Sequence, residues 1–229
     1  MVAPEFMYTS KFRMTVHAIA RLVFETTTMA KFPLHIWATA MMYLHAFQEC
    51  TAEREEDDET GKRSHKELQA QPAKVEQLML GITCLVLSVK ANENYLNSLE
   101  PDRTTTARLA AVLDASARTI LSYTASTVPT ERIVHTKRRL KDFIPATELS
   151  VMRVVGNSLV IDTAFSFMSA LNSQTTQILV EVYSSPVCLN FSAESLLKFA
   201  NGDATNRQTI FRAINPFFLS DELVEPISP

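Results

Sequence analysis

Glycine is scarce, with 4 residues in 229, and the shortage excludes several functions. Phosphate-cradling loops need glycines at fixed places so that backbone amides can approach the ligand. Neither GxGxxG nor a Walker A sequence is present. A GxSxG nucleophile turn is missing as well. Cysteine is equally sparse. Cys50, Cys84 and Cys188 stand far apart without CxxC or metal-ligand spacing, and they read as reduced thiols of a cytosolic or nuclear protein. The 5 histidines, His17, His35, His45, His65 and His135, form no HExxH and have no acidic or cysteine partner at ligand spacing. The expectation is therefore no metal, no cofactor and no small-molecule substrate. A net charge of −3 gives no bulk electrostatic case for nucleic acid or an anionic membrane surface. No signal-peptide pattern is visible, and the apolar run Leu78–Val89 is too short to span a bilayer.

What is present is helical. Apolar residues make up 46% of the chain and charged residues 21%, the balance of a globular protein with a real core. No stretch joins strict alternation to hairpin turns, so the expected class is all-α. MVAPEF, ahead of Met7, reads as a cloning remnant, and residues 1–10 as an N-terminal extension. Ser10 can cap a helix over Lys11–Thr27, with Phe12, Val16, Ile19, Ala20 and Val23 at helical spacing. Pro33 opens a second helix to about Glu49. The acidic stretch that follows, residues 50–72, lacks apolar periodicity and reads as a solvated loop.

A third helix, Ala73–Ala91, is apolar on all sides and therefore central. Thr106–Ala125 makes a fourth. Pro129 starts a new, basic segment, VHTKRRLKDF, and Pro145 opens a fifth helix, PATELSVMRVV, stopped at Gly156-Asn157. Beyond it, helices are expected over Asp162–Asn172, Thr175–Ser184, Ser192–Ala200 and Asn206–Ala213, followed by an extended tail. QILVEVYSS is strand-compatible but lacks a partner strand, and reads as helix.

Residue types alone favour an interaction protein over an enzyme. Cys84, inside an apolar run, reads as a buried, inert thiol. The basic cluster Lys137–Lys141 reads as a solvated helix face or a partner surface, and the acidic stretch as solvated or as a dock for a basic partner. Lys90, taken by itself, is a cation placed favourably at a helix C-terminus.

Three segments change that balance. KFR at Lys11–Arg13 with IWATAMMYLHAF at Ile36–Phe47, LGITCLVLSVKANEN at Leu80–Asn94, and ELSVMRVVGNSLVIDTAFSFM at Glu148–Met168 occur in that order. Together they resemble the first, second, third and fifth helices of a cyclin box, closest to the transcriptional cyclins of the T, K, L and C types. The resemblance implies a five-helix cyclin box over 11–158 and a divergent, truncated second box over 159–229. It also implies a regulatory subunit, without catalysis of its own, that binds and activates a cyclin-dependent kinase of the transcription-associated type, in the nucleus and secondarily the cytoplasm.

In that family the lysine ending the third helix and the glutamate opening the fifth stand side by side against the kinase. They fall here on Lys90 and Glu148, with Leu87, Ala91, Met152 and Leu159 as apolar contacts. Arg13 and His45 match positions that brace the box internally. The chain departs from the family pattern at Asn92, where an acidic residue is usual, at Asn157 in place of an aromatic, and at Asp162 in place of a proline. Two other readings of the same fold remain: a scaffold that binds proteins without a kinase, and a general transcription factor of the IIB type that binds DNA and polymerase.

Overall fold

In the computed structural model, residues 16–59, 77–123, 129–156, 159, 161–167 and 173–201 are described. The first helix, α1 (Val16–Met29), ends in a tight turn at Lys31, whose φ of 59° lies in the left-handed region. The turn is closed by the Phe32 amide donating to the Thr27 carbonyl at 3.0 Å. Pro33 then precedes α2 (Leu34–Glu59). This helix runs ten residues past the expected end at Glu49 and takes in TAEREEDDE, which the sequence reading assigned to a loop. The correction has a simple cause. Missing apolar periodicity is no evidence against a helix. Ala, Glu and Arg are good helix formers, and no glycine or proline intervenes before Gly61. The rest of the expected loop lies outside the described residues.

α3 (Gln77–Ala91) is followed at once by a short α4 (Glu93–Leu99) that the pattern did not reveal. α5 (Thr105–Ser122) starts at Thr104, whose side chain accepts from the Ala107 amide at 3.2 Å. α6 (Thr130–Val155) merges the basic segment and the expected fifth helix into one 26-residue helix with Pro145 inside it. Proline inside a helix normally removes one hydrogen bond and crowds the preceding turn. Pro145 has no N–H to donate to the Lys141 carbonyl, but both residues are exposed, so solvent can serve that carbonyl. α6 stops at Gly156, where φ is 76°, a value glycine adopts readily.

After α6 the chain forms a 3-10 turn at Ala164–Phe167 rather than the long helix expected from Asp162, and 168–172 lie outside the described residues. α7 (Ser173–Tyr183) confirms the helical reading of QILVEVY. A second 3-10 turn, Pro186–Asn190, leads to α8 (Ala193–Ala200), capped by the Ser192 hydroxyl accepting from the Ser195 amide at 3.2 Å. The helix expected at 206–213 lies outside the described residues.

The fold is all-α, without a strand among the described residues. α3 is its axis. Residues 78–89 are buried without exception, and α1, α2, α5 and α6 pack around them. At Gly81 the approach of α1 is so close that a Cβ would stand 2.6 Å from Ile19 Cγ2 and 2.9 Å from Val23 Cγ2. The segment after Gly156 adds Leu179, Val182, Tyr183, Val187, Cys188, Leu196 and Phe199 to the same continuous core, mainly against α2. No helix among the described residues is long and apolar enough to cross a membrane.

Candidate protein-binding site

The end of α3 is held from inside by a chain of hydrogen bonds. Ser88 Oγ donates to the Ile36 carbonyl at 2.7 Å, which ties α3 to the first turn of α2. Asn92 Nδ2 donates to the Ser88 carbonyl at 3.0 Å, so its Oδ1 is the acceptor facing His35 Nε2 at 2.9 Å. That arrangement puts the imidazole hydrogen on Nε2. Nδ1 then accepts from the Thr163 hydroxyl, 2.9 Å away. Tyr95 of α4 closes the node with an edge-to-face contact to the His35 ring at 5.2 Å. Burial lowers the His35 pKa, partly offset by the Asn92 hydrogen bond and by Asp162. Asn92, where the cyclin pattern that the chain resembles has an acidic residue, thus turns inward and leaves α4 without a side-chain cap.

The outer side of the same tip carries the pair singled out above. Lys90 Nζ lies 2.5 Å from Glu148 Oε1, joining α3 to α6 across 58 positions of sequence. Lys90 is 43% exposed and Glu148 is 15% exposed. Beside them Met152 is 39% exposed, Leu149 is 52% exposed and Ala91 is half-buried. Leu149 is an apolar residue of this surface that sequence reasoning passed over. Leu87, in contrast, is only 2% exposed and belongs to the core rather than to the surface. Leu159 is half-buried, and its carbonyl accepts from the Tyr43 hydroxyl. Glu93 is exposed and accepts from the Thr105 hydroxyl.

His45 is fully buried. Its Nε2 donates to the Tyr183 carbonyl at 3.0 Å, joining α2 to the end of α7, while Nδ1 has no partner. Burial lowers its pKa to about 4. Arg13, Asn157 and the helix start near Ser10 lie outside the described residues. Of the basic cluster, Lys137 is committed internally: with Arg118 it holds Asp114, at 2.9 and 2.7 Å. Those bonds, Arg118 first, lower the Asp114 pKa. Arg138 and Lys141 are exposed.

Chemically, this surface offers an ion pair flanked by exposed apolar side chains. Burial raises the thiol pKa values of Cys84 and Cys188 well above the ordinary range, so neither is poised as a nucleophile. Among the described residues no group of His, Cys, Asp and Glu side chains could hold a metal ion. No family model, curated protein or solved structure matches the chain.

The signal for the His35 node was a histidine two residues after Pro33 in an otherwise apolar helix. Its partners Asn92 and Thr163 carried no signal, because they meet it only through the tertiary fold.

Proposed function

We propose that the chain is a cyclin-like regulatory subunit that binds a cyclin-dependent protein kinase and favours its active conformation. The observation that carries this reading is the Lys90–Glu148 contact. The resemblance alone put these two residues side by side, and they are 2.5 Å apart. The exposed Leu149 and Met152 next to them supply apolar area for a partner helix. In this reading the first box is the helical bundle built on α3, and the segment from Leu159 belongs to a truncated second one. The working site is nuclear and the kinase is of the transcription-associated type.

The mechanism follows from population shift. A kinase interchanges between states in which its regulatory helix is swung in or out, and only the former completes the Lys–Glu ion pair that holds ATP phosphates. A subunit that binds the swung-in state more tightly raises its share. A charge pair fixed on two packed helices suits that task, since charge-assisted hydrogen bonds define position as well as affinity. The chain itself contributes no catalytic group.

The test is recovery of bound kinase from the source cell, with wild type beside Lys90→Ala/Glu148→Ala. Truncating one member of a buried charged pair at an interface typically costs about 2–5 kcal/mol, so loss of the Lys90 and Glu148 contacts to a kinase should lower retention at least about thirtyfold. A stoichiometric kinase retained equally by both proteins refutes the anchors. Absence of any kinase refutes the function.

A further inference from the structure

Three polar side chains of α2 reach the segment after Gly156. His35 meets Thr163, Tyr43 donates to the Leu159 carbonyl, and His45 donates to the Tyr183 carbonyl. Two of these three ties are imidazoles, and both are buried, at 5% and 0% exposure. The His45 geometry is the more restrictive. Its Nε2 must carry the hydrogen to bond a carbonyl, so proton uptake would add an N–H at Nδ1, where no acceptor stands.

We propose that the segment from Leu159 to Ala200 is a pH-dependent latch: it is seated on α2 in part through the neutral His45 imidazole, and proton uptake there releases it while α1–α6 remains packed, with His35 adding to the same response. The bundle has its own axis in α3, enclosed by α1, α2, α5 and α6, so release of the segment leaves that enclosure in place. The inference stands apart from the kinase-binding reading.

The surroundings of both rings agree with this direction. Among the described residues, Asp162 of the segment is the one charged group that bears on His35, and Tyr95 of α4 offers a ring edge. Asp162 favours the cation, but it is exposed and its pull is screened by solvent, so burial is the larger effect. His45 responds to burial and to the Tyr183 carbonyl, with no charged side chain contributing. The titratable groups at that end are Tyr183 on α7, Cys188 on the following turn, Cys84 on α3 and, one turn along α2, the exposed Glu49, whose charge bears on Cys188 but adds nothing at His45. The first three are buried, and burial raises the pKa of each of them and so holds each neutral. With an ordinary imidazole pKa of about 6.5 once the segment opens, His45 alone shifts the open-to-closed ratio about twentyfold between pH 7 and pH 5. His35 adds to the shift in the same direction.

Hydrogen exchange of the whole chain at pH 7 and pH 5, expressed as protection factors, tests the latch. Trp37, the one tryptophan of the chain, gives an optical readout, because its ring lies 6.4 Å from that of Tyr183. Amides of 175–200 should lose about twentyfold or more protection at pH 5, with a red shift of Trp37 emission, while amides of 78–89 keep theirs. His35→Gln/His45→Gln should abolish the pH dependence. Equal loss in both regions, no loss in the segment, or an unchanged pH dependence in the variant overturns the proposal. If the variant does not fold, NMR titration of wild type decides. A His45 pKa near 4 supports the latch, and one at or above 6 overturns it.

Discussion

Asn92 and Lys90 are two residues apart, and they show how differently the inner and outer sides of one helix end are built. Asn92 is 5% exposed, and both ends of its amide are hydrogen-bonded inside the fold. Lys90 is 43% exposed and pairs with Glu148. On the inner side every polar atom has been removed from water, so losing a partner costs its desolvation outright. On the outer side the ammonium can return to solvent, and an exposed ion pair contributes little to folding. The inner side therefore fixes where the tip stands, and the outer side is free to serve a partner.

The largest expected effect on this contrast is acidification. The folded pKa of His45 lies below the ordinary value, so the unfolded chain binds the extra proton first. Stability is full above about pH 6.5 and is lost as pH falls toward about 4, by ~3 kcal/mol from this residue alone. Denaturant melts at a series of pH values, with His45→Gln as the control, measure it. Equal slopes in both proteins would remove His45 from the account.

Asn92→Ala comes next. It strips the acceptor from His35 Nε2 and leaves a small void, for about 2–3 kcal/mol at neutral pH. Thr163→Val keeps the volume but removes the hydroxyl facing His35 Nδ1, for about 1–2 kcal/mol. Thermal unfolding of each variant checks the order, and a Thr163→Val loss exceeding that of Asn92→Ala would reverse it. The smallest effect belongs to the outer side. Lys90→Ala/Glu148→Ala should cost no more than about 1 kcal/mol in the same melts. A larger loss would make the pair part of the scaffold, and would weaken any binding result obtained with that variant.

How much of this was legible depended on the range of the forces involved. Local signals served well. Ser192 and Gly156 marked a helix start and stop, and the all-round apolar character of Leu78–Val89 located the axis of the fold. Pro145 misled because its exposed position, which makes an internal proline tolerable, is a property of packing. The acidic continuation of α2 misled for the opposite reason. Periodicity reports a face turned to a core, and helix-forming residues such as Ala, Glu and Arg can be helical without showing it. Lys90 and Glu148 were singled out through resemblance, since nothing local to either names the other. His35, Asn92 and Thr163 come from three separated parts of the chain, and their meeting exists only in three dimensions.

The three thiols are distributed so that chemistry can time the loss of structure. Cys50 is partly accessible near the middle of α2, Cys84 is sealed in α3, and Cys188 is sealed in the turn between α7 and α8. An alkylating reagent therefore meets one thiol in the native chain. The order in which the other two become modified along a denaturant or acid gradient dates the opening of the C-terminal segment and of the bundle separately, without any engineered label.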